Sequence, residues 1–254
     1  MKILAIIPSR YASTRFPAKP LINIKGKTMI QRVYLQAKKA TNYCCVATDN
    51  IEIYNNVKKI GGEAIMTSTE HNSGTDRCME AYTKYCKLHS NVIFDVVINV
   101  QGDEPLINPE QLNILASAFK DGKVQIASMT KLIDTNEELF DNSIPKVLVD
   151  NDSNALIFSR ECLPYIRNVE KNEWLGKFPY RKHIGIYAYR PEMLKKICEL
   201  KSSSLEKVEN LEQLRWLENG LKIKMIDTKF ETISIDSPQD LKTLINYMEK
   251  KNIQ

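Results

Sequence analysis

What the chain lacks narrows its reading before any motif does. Its six cysteines include no Cys-x-x-Cys pair, and Cys44 and Cys45 are adjacent. That spacing suits neither a disulfide framework nor a zinc site, so reduced thiols in a cytoplasmic protein are expected. The opening apolar run, Ile3 to Ile7, stops after five residues at Pro8. It is too short for a signal-peptide core or a membrane span, so a soluble protein with no membrane partner is expected. The net charge is +5, yet no dense basic stripe is interleaved with aromatics, which argues against nucleic acid as a partner. No Walker-type phosphate loop, internal repeat or low-complexity linker is found.

What is present is an ordinary globular composition, 43% hydrophobic and 26% charged over 254 residues. That is enough for one large α/β domain, or a domain with a small lobe. Lys2–Ile7, Tyr43–Thr48, Glu63–Met66 and Asp95–Val100 read as strands. Thr28–Thr41, Ile51–Ile60, Thr75–Lys87 and Pro109–Lys120 read as helices between and after them. Asn50 is a candidate cap for the second helix and Gly61-Gly62 its stop. The nearly unbroken apolar run Asp95–Val100 marks a strand buried on both faces. This alternation predicts an α/β fold with a mostly parallel sheet, whose ligands bind beyond the carboxyl ends of its strands.

The second half is richer in strands: Val124–Thr130, Lys146–Val149, Ala155–Phe158, His183–Tyr189, Lys222–Ile226 and Ile233–Ile235. Helices are expected at Glu192–Leu200, Leu205–Asn219 and Ser237–Lys250, and a long loop at Lys171–Tyr180. It reads as an excursion from the same sheet, not as a separate domain.

Three constellations carry chemistry. In Ser9-Arg10-Tyr11-Ala12-Ser13-Thr14-Arg15-Phe16-Pro17-Ala18-Lys19 two arginines, a lysine and several hydroxyls follow the first strand. Forked guanidinium donors with a point-like ammonium suit a polyphosphate; a solvated basic loop would read the same way. In Asn99-Val100-Gln101-Gly102-Asp103-Glu104-Pro105 a buried strand delivers an amide and two acids to the ligand edge. Carboxylates there can hold Mg²⁺, a hard ion that prefers oxygen; an ordinary acidic turn is the plainer alternative. In Ser234-Ile235-Asp236-Ser237-Pro238 an acid precedes a helix start, where a metal role competes with simple helix entry.

Taken together, IIPSRYASTRFPAKPL, VATDN, GGEAIMTS, HNSGTDR, VINVQGDEPLI, ALIFSRECLPYIR, KHIGIYAYR, LEKVENLEQLRWLENG and SIDSPQDL span nearly the whole chain. In that order they resemble the CMP-Kdo synthetases, the 3-deoxy-manno-octulosonate cytidylyltransferases. The resemblance implies a Rossmann-like nucleotidyltransferase domain over residues 1–254, in which 124–235 contributes a small lobe for sugar binding and dimer contact. It implies CMP transfer from CTP to Kdo in lipopolysaccharide biosynthesis, with Mg²⁺ as cofactor and a homodimeric assembly. Arg10, Ser13, Arg15 and Lys19 would hold the CTP phosphates, Arg77 would add charge near the nucleotide, and Asp103 and Asp236 would bind the metal. Gln101, Arg167, His183, Tyr187, Glu212 and Gln213 would line the sugar pocket, with Gln101 also near the nucleotide. One departure stands out: Ala18 occupies the position before the lysine where the family usually has glycine.

Packing offers competing readings for some of these residues. His183 lies in an apolar strand, and Glu212 and Gln213 share a helix with the stripe Leu211, Leu214 and Leu217. Arg160, Tyr189 and Trp216 read as structural. Two rivals remain: a cytidylyltransferase for 8-amino-Kdo or another acidic sugar, and a non-catalytic nucleotide- or nucleic-acid-binding protein.

Overall fold

In a computed structural model of the chain, residues 1–11 and 16–253 are described. Ser13 and Arg15 of the expected phosphate loop lie outside the described residues. The chain divides into two compact units, residues 1–116 with 231–254, and residues 117–230.

The first unit is built on β1 (Ile3–Ser9), whose residues Leu4 to Ile7 are fully buried. A small hairpin follows, β2 (Asn23–Ile24) with β3 (Lys27–Thr28), turning through Gly26 at φ +84°. Thr28 then caps α1 (Met29–Ala40), accepting from the Gln31 amide while the Gln31 side chain accepts from the Thr28 amide. Next come β4 (Tyr43–Thr48) and α2 (Ile51–Lys58), whose first amides are taken by the Asn50 side chain. β5 (Ala64–Met66), α3 (Gly74–Leu88), β6 (Val96–Asn99) and α4 (Pro109–Ser117) complete the run. The strands pair in parallel in the order β6-β1-β4-β5. β6 is buried throughout, as an apolar run covered on both faces must be. The C-terminal helix, Pro238–Lys250, places Leu244 and Met248 in a cluster with Ile24, Met29 and Ile235. Together they withdraw five fully buried side chains from water, each contributing roughly 1.5–3 kcal/mol.

The second unit contains β7 (Ile126–Leu132), α5 (Asn136–Phe140), β8 (Lys146–Val149) and β9 (Ala155–Ser159). It continues with β10 (Arg181–Tyr189), α6 (Pro191–Cys198), α7 (Ser204–Glu209), α8 (Gln213–Glu218) and β11 (Lys224–Asp227). β7 pairs antiparallel with β10 and parallel with β11, and β8 pairs antiparallel with β9 and β10. The β7–β10 ladder shifts register between Ile184 and Tyr187, forming a bulge at Gly185-Ile186.

Several boundaries depart from the sequence reading. The expected helix Leu205–Asn219 is two helices, because Asn210 adopts φ +53° and ends the first. Ile233–Ile235 forms no strand. Within the expected loop Lys171–Tyr180, a 3₁₀ helix (Lys171–Gly176) closes over buried Trp174, whose indole donates to the Val169 carbonyl at 3.0 Å.

Candidate active site

A cavity of about 400 Å³ opens in the first unit, among the segments that follow β1 and β6 and the entry to α3. Its lining includes Arg10, Lys19, Arg77, Gln101, Asp103 and Asp236, the six described residues of the expected nucleotide and metal set.

Three local features assemble it. Gly102 follows β6 in the Gln101-Gly102-Asp103 turn, and a Cβ there would stand 2.7 Å from the Pro8 carbonyl oxygen. Only glycine lets the two loops lie this close. The Ile235 amide donates to the Asp103 carbonyl at 3.0 Å. That bond seats Asp236 beside Asp103 across a sequence separation no spacing pattern could bridge. Ser237 caps the C-terminal helix and Asp240 reciprocates as a capping box. The cap is therefore complete without the Asp236 side chain.

Its described partner is Lys19. The ammonium lies 3.0 Å from Asp103 Oδ2 and 3.0 Å from Asp236 Oδ1, so one cation bridges two acids. Ala18 positions that lysine from the left-handed region at φ +55°, where a Cβ is strained. The two acids of the Asp103-Glu104 pair divide: Asp103 faces the cavity, while Glu104 turns inward and is buried. Burial, and then the nearby Asp103 charge, push the Glu104 carboxyl up to about 8.

Arg77 lines the cavity yet is already committed. Its guanidinium donates to Asp49 Oδ2 and Thr67 Oγ1, each at 2.7 Å, and to the Ser68 carbonyl at 3.2 Å. It therefore fixes the wall and also carries charge. The wall itself is His71-Asn72-Ser73-Gly74, for which the sequence reading assigned no role. Glu80 on α3 holds that segment, accepting from the Ser68 amide at 2.9 Å and contacting His71 Nε2. Burial raises the Glu80 pKa, but hydrogen bonds from Lys84, the Ser68 amide and His71 outweigh it and hold the group at about 2. The HNSGTDR motif was the available signal, read only as far as Arg77. Two buried polar atoms near the cavity, Ser9 Oγ and Asn99 Oδ1, have no partner among the described residues. Such orphans cost roughly 1–3 kcal/mol each and are consistent with a polar ligand.

Apart from Gln101, the residues expected to read a sugar lie in the second unit. His183 and Tyr187 sit on either side of the β10 bulge, with ring centroids 5.3 Å apart. Burial holds the His183 imidazole down at about 3, so it is neutral through the physiological range. Burial, and then the Glu212 charge, push the Tyr187 hydroxyl well above its usual value. Gln213 is buried, and its Nε2 has no partner among the described residues. Arg167 is exposed and makes no ion pair among the described residues. Arg160 donates to the carbonyls of Glu209 and Asn142, and Tyr189 and Trp216 are core residues.

A metal fits the first-unit site. The two carboxylates already converge on one cation, and no cluster of three or more His, Cys, Asp or Glu ligands is found among the described residues. Two carboxylates can hold a hard divalent ion when substrate phosphates supply further oxygens. No described helix is long and apolar enough to cross a membrane.

Comparison with known proteins gives a consistent result. A cytidylyltransferase family model matches residues 4–223. The chain is 48% identical to a 3-deoxy-manno-octulosonate cytidylyltransferase of Parabacteroides distasonis, covering 99% of this chain and 100% of that one. It is 51% identical to the protein of the same name from Bacteroides thetaiotaomicron, with the same coverage. A solved CMP:2-keto-3-deoxy-manno-octonic acid synthetase complexed with CTP superposes with a TM-score of 0.88 at 37% identity, covering 99% of this chain and 100% of that one.

Proposed function

The chain belongs to the cytidylyltransferase family, and on that premise we propose that it transfers CMP from CTP to the anomeric hydroxyl of Kdo, releasing pyrophosphate. The observation that carries the reading is the cavity in which one lysine gathers two aspartates from distant parts of the chain. Full-length identity to enzymes named for this activity supports the choice of nucleotide and sugar.

The reacting partners are both anions, a triphosphate and a sugar carboxylate, so the site must supply positive charge. Arg10 and Lys19 do so at the cavity. The anomeric hydroxyl gives up its proton to solvent as its oxygen attacks the α-phosphorus, the bond from that phosphorus to the bridging oxygen breaks, and pyrophosphate carries away the electron pair. No covalent enzyme intermediate is required, because positioning and charge stabilisation suffice for such transfers. Asp103 and Asp236 would hold Mg²⁺. When bound, the ion would screen phosphate charge and lower the pKa of a coordinated hydroxyl. Arg167 would read the sugar carboxylate with a forked pair of hydrogen bonds, and His183, Tyr187, Glu212 and Gln213 its hydroxyls. The buried, unpartnered Gln213 amide supports this assignment. The free state of all six cysteines supports a reducing, cytoplasmic setting, and by analogy with the family we propose a homodimer in lipopolysaccharide biosynthesis.

Coupled pyrophosphate release across four nucleotides and a panel of acidic sugars tests this reading. CTP with Kdo should exceed every other pair. Equal or faster turnover with ATP or UTP, or with 8-amino-Kdo, would overturn the corresponding half of the assignment.

A further inference from the structure

The β10 bulge holds a buried serine with three neighbours. Ser128 on β7 is fully buried, and its Oγ lies 2.9 Å from the Ile186 carbonyl, 3.2 Å from the Ile184 carbonyl and 2.9 Å from His183 Nε2. A hydroxyl carries one proton, and a carbonyl oxygen can only accept. If that proton went to the histidine, the Ser128 lone pairs would face two carbonyl oxygens at hydrogen-bond distance. With the proton shared toward the carbonyls, Oγ is free to accept, and the ring nitrogen beside it must donate. The contacts thus select the neutral tautomer with the proton on Nε2.

We infer that Ser128 is a positioning residue for sugar recognition: through the bulge it fixes His183 as the Nε2–H tautomer and leaves Nδ1 as the ring's only hydrogen-bond acceptor. This rests on the reading of His183 as a sugar-facing residue. Phe158 stands edge-on to the ring at 4.9 Å and Tyr187 lies at 5.3 Å, so the ring is also sterically bracketed. Two neutral tautomers of one imidazole would recognise opposite partners, and a ring free to exchange would discriminate poorly. A locked acceptor selects a ligand group that donates, which a sugar hydroxyl does and an ether or a deoxygenated carbon does not. The bulge explains why the geometry exists: the two-residue register shift turns the carbonyls of Ile184 and Ile186 toward one side chain, and strand bulges commonly re-aim groups beside functional sites.

The test begins with the ligand-free full-length enzyme, so it does not depend on the substrate being right. The chain has three histidines. Long-range ¹H–¹⁵N correlation spectra, assigned with His71 and His89 variants, report which ring nitrogen of His183 is protonated. The expected result is protonated Nε2 and unprotonated Nδ1; a protonated Nδ1 overturns the inference even if no Ser128 variant folds. Ser128→Ala should give mixed tautomers and raise the sugar KM about 10-fold or more, the scale of one lost polar contact, while leaving the CTP KM within about threefold. Ser128→Thr, which keeps the hydroxyl, should restore both the spectrum and the sugar KM. An unchanged sugar KM in a folded Ser128→Ala enzyme with mixed tautomers overturns the positioning role. Absence of CMP transfer by the wild type defeats the functional reading instead, and leaves the tautomer to be judged from its spectrum.

Discussion

Replacing Lys19 with methionine retains much of the side chain's bulk and deletes one charge, so it isolates the electrostatic contribution. The ammonium is 3.0 Å from each of two carboxylate oxygens. Coulomb's law assigns each contact about 1.4 kcal/mol in a water-like medium and about 5.5 kcal/mol at the effective permittivity of a protein surface. The Asp236 side chain is 41% exposed, which places its contact near the lower figure. Two contacts at that figure amount to about 3 kcal/mol, or roughly 100-fold if the same charge serves the transition state. Loss of a single preorganised electrostatic contact in other enzymes costs about 100- to 1000-fold, the same scale. The substitution also leaves Asp103 and Asp236 without their common counter-ion. Lys19→Met should therefore turn over about 100- to 1000-fold more slowly while binding Mg²⁺ more tightly. Pyrophosphate-release kinetics, Mg²⁺ calorimetry and a thermal melt check the three parts. A folded variant with kcat/KM within about threefold of wild type, or with weaker Mg²⁺ binding, would refute the reasoning.

Asp103→Asn and Asp236→Asn should each reduce turnover by about 100-fold or more with a nearly unchanged melt, because neither carboxylate contributes to the core; retention of wild-type rates in both would remove the metal assignment. Ala18→Gly should raise stability by about 0.5–1 kcal/mol in urea denaturation, since Ala18 sits at φ +55° and glycine is unstrained there; a destabilised variant would contradict this. Glu80 is held at about 2 in the folded state, so the unfolded chain binds its proton first and stability falls as pH drops from about 5 toward 2. The loss attributable to Glu80 should reach up to about 3 kcal/mol and vanish in Glu80→Gln, and superimposable pH profiles for the two proteins would exclude the linkage. Light scattering at micromolar concentration should report a dimer, and a monomer alone would contradict the proposed assembly.

The parallel strands of the first unit were legible because burial on both faces forces long apolar runs, as in Val96–Asn99. The cap at Asn50 was equally legible, since its side chain meets local amides only. Other features depend on tertiary context. Asn210 in the left-handed region breaks an otherwise continuous helical pattern, and an asparagine can either end a helix or sit within one, so the residue type alone does not fix the break. Segment 233–235 looks like a strand but reaches Asp103 through one backbone bond instead of a ladder. That bond brings Asp236 to Asp103, a meeting suggested by family resemblance and not by spacing. Ser128 was invisible because a serine in a strand is unremarkable until a bulge in a neighbouring strand turns two carbonyls toward it.

The central claim is transfer of an intact CMP unit from CTP to Kdo. Phosphorus NMR of purified enzyme with CTP, Kdo and Mg²⁺ tests it most directly. The account predicts a sugar–CMP phosphodiester signal and pyrophosphate appearing in equal amounts, both formed about 100-fold or more slower in Asp236→Asn. Formation of CDP and free phosphate, or no phosphodiester with Kdo under conditions where another acidic sugar yields one, would contradict it.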